Sequence, residues 1–307
     1  MKASPPSIAQ AKLAEAKQHC ELLAMDFDGT LADGNQYQKE DALGLITEIL
    51  ACQKTPAIIT ARAATAVKTF VPPLQAYYRK HPDALATYIA GGNGTVLYCL
   101  NTKGIEALYN QGLTLAQVKT IVAQWQSYAD VELPLAGLSE KGLQTFKQFY
   151  TEDWQYLIPA AVLDLGRSFA GRIFTEEAKV TFVFPKDVSR HQSIVAAVQT
   201  LIGNDFCVAA GDKDFCHITK RLQADSKQVA VKAILQRLGL NETQVASFGD
   251  MPHGNDRGLL SFPYSFTNCD EFASKKNDFQ VPPYVLPDPD LAPVARVYKA
   301  IRYMLQS

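Results

Sequence analysis

Short apolar runs alternate with stretches of helical spacing through the first hundred residues and again after Arg221. Leu22-Leu23-Ala24-Met25 leads into Asp26-Phe27-Asp28-Gly29-Thr30-Leu31. Thr55-Pro56-Ala57-Ile58-Ile59-Thr60 and Val245-Ala246-Ser247-Phe248-Gly249-Asp250 share that form, an apolar run closed by a polar residue. Each reads as a short buried strand. Between them, Leu43, Ile46 and Leu50, with Leu45 and Ile49 beside them, predict a helix from about Glu40 to Gln53. Ala61-Arg62-Ala63-Ala64 begins another, and Val231, Ile234, Leu235 and Leu238, closed by Gly239, mark a third. Strand, helix, strand, helix predicts a parallel sheet with right-handed crossovers.

Other segments break that rhythm. Tyr88 to Tyr98 carries Gly91-Gly92-Asn93-Gly94 between two apolar stretches and reads as a hairpin. From Leu113 to Tyr128 the pattern is a longer amphipathic helix, and further helices are predicted at Ser139 to Gln155 and Val188 to Ile202. Lys179 to Phe184 alternates as a strand, and Phe206 to Ala210 with Phe215 to Thr219 flank Gly211-Asp212-Lys213-Asp214 as a second hairpin. Tyr264 to Thr267 reads as a short edge strand, Gln280 to Pro289 as a proline-rich surface segment, and Val294, Val297, Ile301 and Met304 as a terminal helix. The predicted class is α/β: a Rossmann-like parallel-sheet core over 1–103 and 222–307, with an inserted α+β module over 104–221.

Composition narrows the possibilities. The chain has 307 residues, 47% of them hydrophobic, enough for one large or two modest cores. Its 30 basic residues against 31 acidic ones give a net charge of −1, which argues against nucleic acid or an anionic membrane as partner. Six cysteines show neither a C-x-x-C pair nor zinc-finger spacing, as expected of reduced thiols in a cytoplasmic protein. Met1 to Cys20 lacks an apolar signal core and reads as a helical lead-in, and no run is long enough to span a bilayer. Oligomeric state is left open.

The candidate chemistry lies where the predicted strands end. On an extended strand alternate residues share a face, so Asp26 and Asp28 are expected to point the same way, and two such acids close together call for a cation. Asp250, ending a second strand, supplies a third carboxylate for an oxygen-ligand Mg²⁺ site with Asp26 and Asp28, which Asn255 and Asp256 support from behind. His253 is expected to be a loop residue, since its oxygen-rich neighbours suit Mg²⁺ and not zinc. Thr60 ends the neighbouring strand, where a hydroxyl can meet a phosphate or cap the next helix. Lys227 opens a helix, where a cation opposes the dipole unless an anion lies beside it. Arg167, Arg172, Lys179 and Lys213 of the inserted module are candidates for gripping the rest of an anionic substrate.

Taken together, Asp26-Phe27-Asp28-Gly29-Thr30, Thr60 with Arg62, Lys227, and Gly249-Asp250 with Asn255-Asp256 resemble the haloacid dehalogenase superfamily. The resemblance covers about residues 20 to 100 and 222 to 275, and the inserted module stands where the sugar-phosphatase branch, the Cof-like and phosphomannomutase-like subclass IIB, carries its α/β cap. Thr60-Ala61-Arg62 occupies the place of the branch's Thr-Gly-Arg, and Asn93-Gly94 also fits; Arg62 and Asn93 are therefore candidate substrate contacts. The resemblance implies Asp26 as nucleophile, Asp28 as acid/base, Thr60 and Lys227 as phosphate-binding groups, and Mg²⁺ held by Asp26, Asp250 and the backbone carbonyl of Asp28. It implies a phosphatase of a small phosphorylated metabolite, a sugar phosphate above all. Four residues, Met251 to Gly254, separate Asp250 from Asn255-Asp256 where the branch has two, a spacing similar to that of phosphomannomutases. A hexose phosphomutase is thus the alternative, and a catalytically silent sugar-phosphate sensor a third reading.

Overall fold

The computed structural model describes residues 7–62, 64–132, 173–175, 178–183, 191–210, 215–221, 225–274 and 279–306. The chain divides into two compact units, Met1–Tyr109 with Ala224–Ser307, and Asn110–Gln223.

The first unit is built on one sheet of eight strands: β1 (Leu22–Met25), β2 (Thr55–Ile59), β3 (Thr87–Gly91), β4 (Val96–Asn101), β5 (Gly104–Asn110), β10 (Val245–Gly249), β11 (Tyr264–Thr267) and β12 (Tyr284–Val285). Their order is β12-β11-β10-β1-β2-β3-β4-β5. The pairings from β12 to β3 are all parallel, and β4 turns back antiparallel on β3. Every residue of β1, β2, β3 and β10 is buried, which is why these strands appear in the sequence as continuous apolar runs: helices cover both faces of a parallel sheet.

Local chemistry sets the helix ends. Helix α1 (Ile8–His19) starts with a reciprocal cap between Ser7 and Gln10 and packs on the terminal helix α7 (Pro293–Leu305). Helices α2 (Lys39–Ala51) and α3 (Ala64–Lys80) follow β1 and β2. Helix α6 (Ser226–Leu238) is capped by Asp225, ends on left-handed Gly239, and buries Val231, Ile234 and Leu235 in the same core as Leu22, Ala24, Ala57 and Ile59.

The second unit has a four-stranded antiparallel sheet in the order β6 (Ile173–Thr175), β7 (Lys179–Val183), β9 (Phe215–Lys220), β8 (Phe206–Ala210). Helices α4 (Leu115–Glu132) and α5 (His191–Ile202) share its core. The Trp125 ring stacks on Phe182 with centroids 4.0 Å apart.

Three expectations need correction. The strand that starts at Gly104 is the edge of the large sheet, so the inserted module does not begin there; β5 is largely exposed and lacks a two-residue alternation to announce it. Tyr264 to Thr267 is an interior strand, covered on its outer side by β12, which arises within the proline-rich Gln280 to Pro289 segment. Helix α3 starts at Ala64, later than Ala61, leaving Arg62 in the preceding loop. The predicted helix at Ser139 to Gln155, with Arg167, Arg172 and Lys213, lies outside the described residues, and Lys179 opens β7.

Candidate active site

β1 stops at Met25, but its pairing runs one residue further: the Asp26 N–H donates to the Phe248 carbonyl at 2.9 Å. Asp26 stays buried, 4% exposed. The chain then folds on itself, with the N–H groups of Leu31 and Ala32 on the Phe27 carbonyl and that of Gly29 on the Ala32 carbonyl. Gly29 takes the left-handed φ of +80° that this turn demands, and a Cβ there would collide with the Asp250 carboxylate. The two acids have different partners. Asp28 is half-exposed and held by Arg62 through two bonds, Nε to Oδ2 at 2.8 Å and Nη2 to Oδ1 at 2.6 Å, while the guanidinium lies over the Phe27 ring. Asp28 is not in the group of carboxylates that gathers around Asp26, and its partner is Arg62 where that of Asp26 is Lys227.

Arg62 is positioned from β2. Buried Thr60 accepts the Arg62 N–H on its hydroxyl at 3.1 Å, and the glycine turn after β3 braces the segment: Gly92 donates to the Arg62 carbonyl at 2.8 Å and Asn93 to the Thr60 carbonyl at 2.9 Å. Asn93 adopts φ +59° there, and its Oδ1 is buried without a partner among the described residues. Gly94 is equally constrained, since a Cβ on it would strike the Ser226 carbonyl at the start of α6.

Lys227, in the first turn of α6, is fully buried. Its Nζ donates to Asp26 Oδ1 at 2.6 Å and to Asp256 Oδ1 at 2.5 Å. Its helix start is fixed by Asp225, which accepts from the N–H of Lys227 and, through its other oxygen, from that of Gly258. An unpaired buried ion costs several kcal/mol, so this lysine persists only because two carboxylates meet it. Asp256 is fully committed, for its Oδ2 accepts the N–H groups of Asp250 and Met251 at 3.0 Å each. Asn255, the residue before, is exposed, and His253 lies against the Phe272 ring. Asp256 and the backbone bonds onto the Met251 carbonyl from Gly254 and Asp256 thus hold the loop from Met251 to Asp256. Both Asp225 and Asp256 act more widely than the sequence suggested; the helix-cap position was the available signal for Asp225.

Asp26, Asp250 and Asp256 each bring one carboxylate oxygen within 4.8 Å of the others. Burial, then repulsion from Asp256, pushes the Asp26 carboxyl well above its usual range and Asp250 up to about 7. Lys227, attracted by both partners, stays protonated despite its burial. Three carboxylates therefore face one fixed cation, a deficit of positive charge that a hard divalent ion would fill. The donors fit such an ion: all are oxygens, and with Asp256 engaged elsewhere, Asp26 and Asp250 are the ones available to it. Thr30 adds a long 3.5 Å contact from its hydroxyl to Asp250.

A cavity of about 490 Å³ has Phe27, Asp28, Gly29, Asp33, Lys39 and Arg62 in its wall. Another, of about 460 Å³, lies among residues of α1, α7 and Pro287-Asp288, and neither Asp28 nor Arg62 lines it.

The fold and the cluster define a parallel-sheet enzyme whose acids and one buried lysine converge at the carboxyl ends of adjacent strands. The model of the haloacid dehalogenase-like hydrolases matches residues 23–264, and the chain belongs to that family. No curated protein sequence matches it. Among solved structures it is similar to a protein described as a HAD/COF-like hydrolase from Plasmodium vivax, with 19% identity over 95% of this chain and 99% of that one and a TM-score of 0.60. A haloacid dehalogenase-like hydrolase from Bacteroides thetaiotaomicron gives 16% identity over 93% and 99%, with a TM-score of 0.61. A subclass IIB sugar phosphatase gives 17% over 92% and 98%, with a TM-score of 0.54. At these identities the likeness is one of fold.

Proposed function

We propose that this hydrolase is a Mg²⁺-dependent phosphatase of a small phosphorylated metabolite, a sugar phosphate, working through an aspartyl-phosphate intermediate. The observation that carries the reading is Lys227 bridging Asp26 and Asp256 in a buried cluster that remains short of positive charge. A bound Mg²⁺, held by Asp26, Asp250 and the Asp28 backbone carbonyl, would supply the charge that lets a carboxylate approach a phosphate dianion.

Lys227 engages Asp26 Oδ1, leaving Oδ2 to attack phosphorus. As that bond forms, the bond from phosphorus to the substrate oxygen breaks, and Asp28, which takes up a proton from solvent when Arg62 turns from it to the bound substrate, gives that proton to the leaving oxygen. Asp28 then takes a proton from the water that hydrolyses the aspartyl phosphate, which returns Asp26. Thr60, buried at the end of the neighbouring strand, and Lys227 hold the transferring oxygens. Arg62, holding Asp28 from a half-exposed position in the wall of the cavity, contacts the rest of the substrate, and Asn93 supports the segment that carries it. The subclass IIB neighbour, a sugar phosphatase, supports the choice of sugar phosphates.

The test is phosphate release from a panel of phosphorylated metabolites. The wild-type chain should release phosphate with Mg²⁺, while EDTA or Asp26→Asn should reduce the rate by about 10³-fold or more. A panel without Mg²⁺-dependent release, or conversion of hexose 1-phosphate to 6-phosphate in its place, would refute the proposal.

A further inference from the structure

Asn268 follows β11 directly. Thr267 of β11 stands opposite Gly249 of β10 in a parallel register, so Asn268 and Asp250 leave the sheet side by side. Asn268 is 3% exposed. Its Nδ2 donates to the Gly29 carbonyl at 2.9 Å, which ties the turn between Asp26 and Thr30 to the neighbouring strand end. A carbonyl only accepts, so the amide nitrogen must face Gly29, and the orientation of the side chain is fixed. Its other atom, Oδ1, is then a buried acceptor, and it has no partner among the described residues.

Among the described residues, the polar groups next to Oδ1 do not supply the missing donor. With a cation bound, the Asp250 side chain is a carboxylate that only accepts, and the N–H groups of Asp250 and Met251 are both taken by Asp256. The Thr30 hydroxyl is directed at Asp250. Buried amide oxygens are rarely left unsatisfied, and in this setting a water molecule is the fitting donor. Water polarised by a divalent ion donates strongly, and the carboxylates suited to that ion include Asp250, which is next to Asn268 across the strands.

We infer that Asn268 is a positioning residue for the cation, an assignment that rests on the metal-dependent reading above. Nδ2 clamps the Gly29 turn, and Oδ1 accepts a hydrogen bond from a water that the ion brings with it. Groups in this position set metal affinity through the orientation of what the ion touches.

Mg²⁺ binding to the full chain, measured by titration calorimetry on wild type, Asn268→Ala and Asn268→Asp, separates the two atoms. Both variants lose the donor to Gly29, and only Asp keeps the acceptor. Alanine should weaken Mg²⁺ binding about 10-fold or more, while aspartate should stay within about 3-fold of wild type or bind tighter. Unchanged affinity in the alanine variant, or an equal loss in both, would overturn the assignment. If the alanine variant fails to fold, the aspartate variant decides alone: retained affinity supports the assignment and a loss of about 10-fold refutes it. A wild-type chain that binds no Mg²⁺ overturns the metal-dependent reading together with this one, whereas wild-type binding that both variants preserve overturns only the role of Asn268.

Discussion

Asp250 is the side chain whose protonation most directly reports on the cluster. In the metal-free fold, burial and the nearby Asp256 push its carboxyl up to about 7, and Asp26 is displaced in the same direction. The unfolded chain releases these protons near the ordinary aspartate pKa of about 3.9. The folded chain therefore binds protons more tightly, and this contribution to stability is fully present below about pH 4 and lost as pH rises through about 7. A cation competes for the same oxygens, so its binding displaces protons and strengthens as the pH rises. Thermal unfolding should consequently show a larger rise in midpoint on adding Mg²⁺ at about pH 8 than at about pH 5.5. Equal shifts at the two values would mean that the raised carboxyls are not the cation's ligands. At this scale the sequence was informative where residue type conflicted with position. Lys227 in a helix's first turn was such a conflict, and the structure resolves it with two buried carboxylates. Asn268 offered no conflict, because a single asparagine after a strand is ordinary until its neighbours are known.

Among the elements, the legible ones are buried on both faces. β1, β2, β3 and β10 are continuous apolar runs because the sheet is covered on both sides, and their ends locate Asp26, Thr60 and Asp250. β5 and β12 escaped notice since one is largely exposed and the other is two residues in a proline-rich stretch. The turn after Met25, closed by the N–H groups of Gly29, Leu31 and Ala32, was not legible, because only its hydrogen bonds reveal it. The glycine turn after β3 was recognised as a hairpin, but its contact with α6 was not, because that contact joins elements separated by more than a hundred residues. Two glycines weigh that contact. Both Gly94 and Gly34 have left-handed φ, +92° and +74°, yet a Cβ at Gly34 meets nothing within 4 Å while one at Gly94 runs into backbone. Urea unfolding should show Gly34→Ala costing about 1 kcal/mol through φ alone. Gly94→Ala should cost about 1–3 kcal/mol beyond that, from strain that backbone cannot relieve. Equal costs would show that α6 gives way at Ser226.

Across the whole molecule, the cluster is assembled from both ends of the chain. Lys227 and Asp26 lie 201 residues apart in sequence and meet because the unit Met1–Tyr109 is completed by Ala224–Ser307. The segment between them, Asn110–Gln223, forms its own unit with its own core around Trp125 and Phe182. Resemblance at four separated motifs was enough to indicate the parallel unit, since each motif is pinned to a strand or helix end. The inserted unit was legible as strands and helices only; Arg167, Arg172 and Lys213 were named as candidate contacts without a motif to mark them and lie outside the described residues.

The central claim is that Asp26 carries the phosphoryl group. Its most direct test is peptide mass analysis of acid-quenched enzyme after brief exposure to acetyl phosphate and Mg²⁺. A phosphoryl adduct on the peptide containing Asp26, absent after EDTA and from Asp26→Asn, is the predicted result. An adduct on another residue, or phosphate release by the Asp26→Asn variant at the wild-type rate, would contradict it.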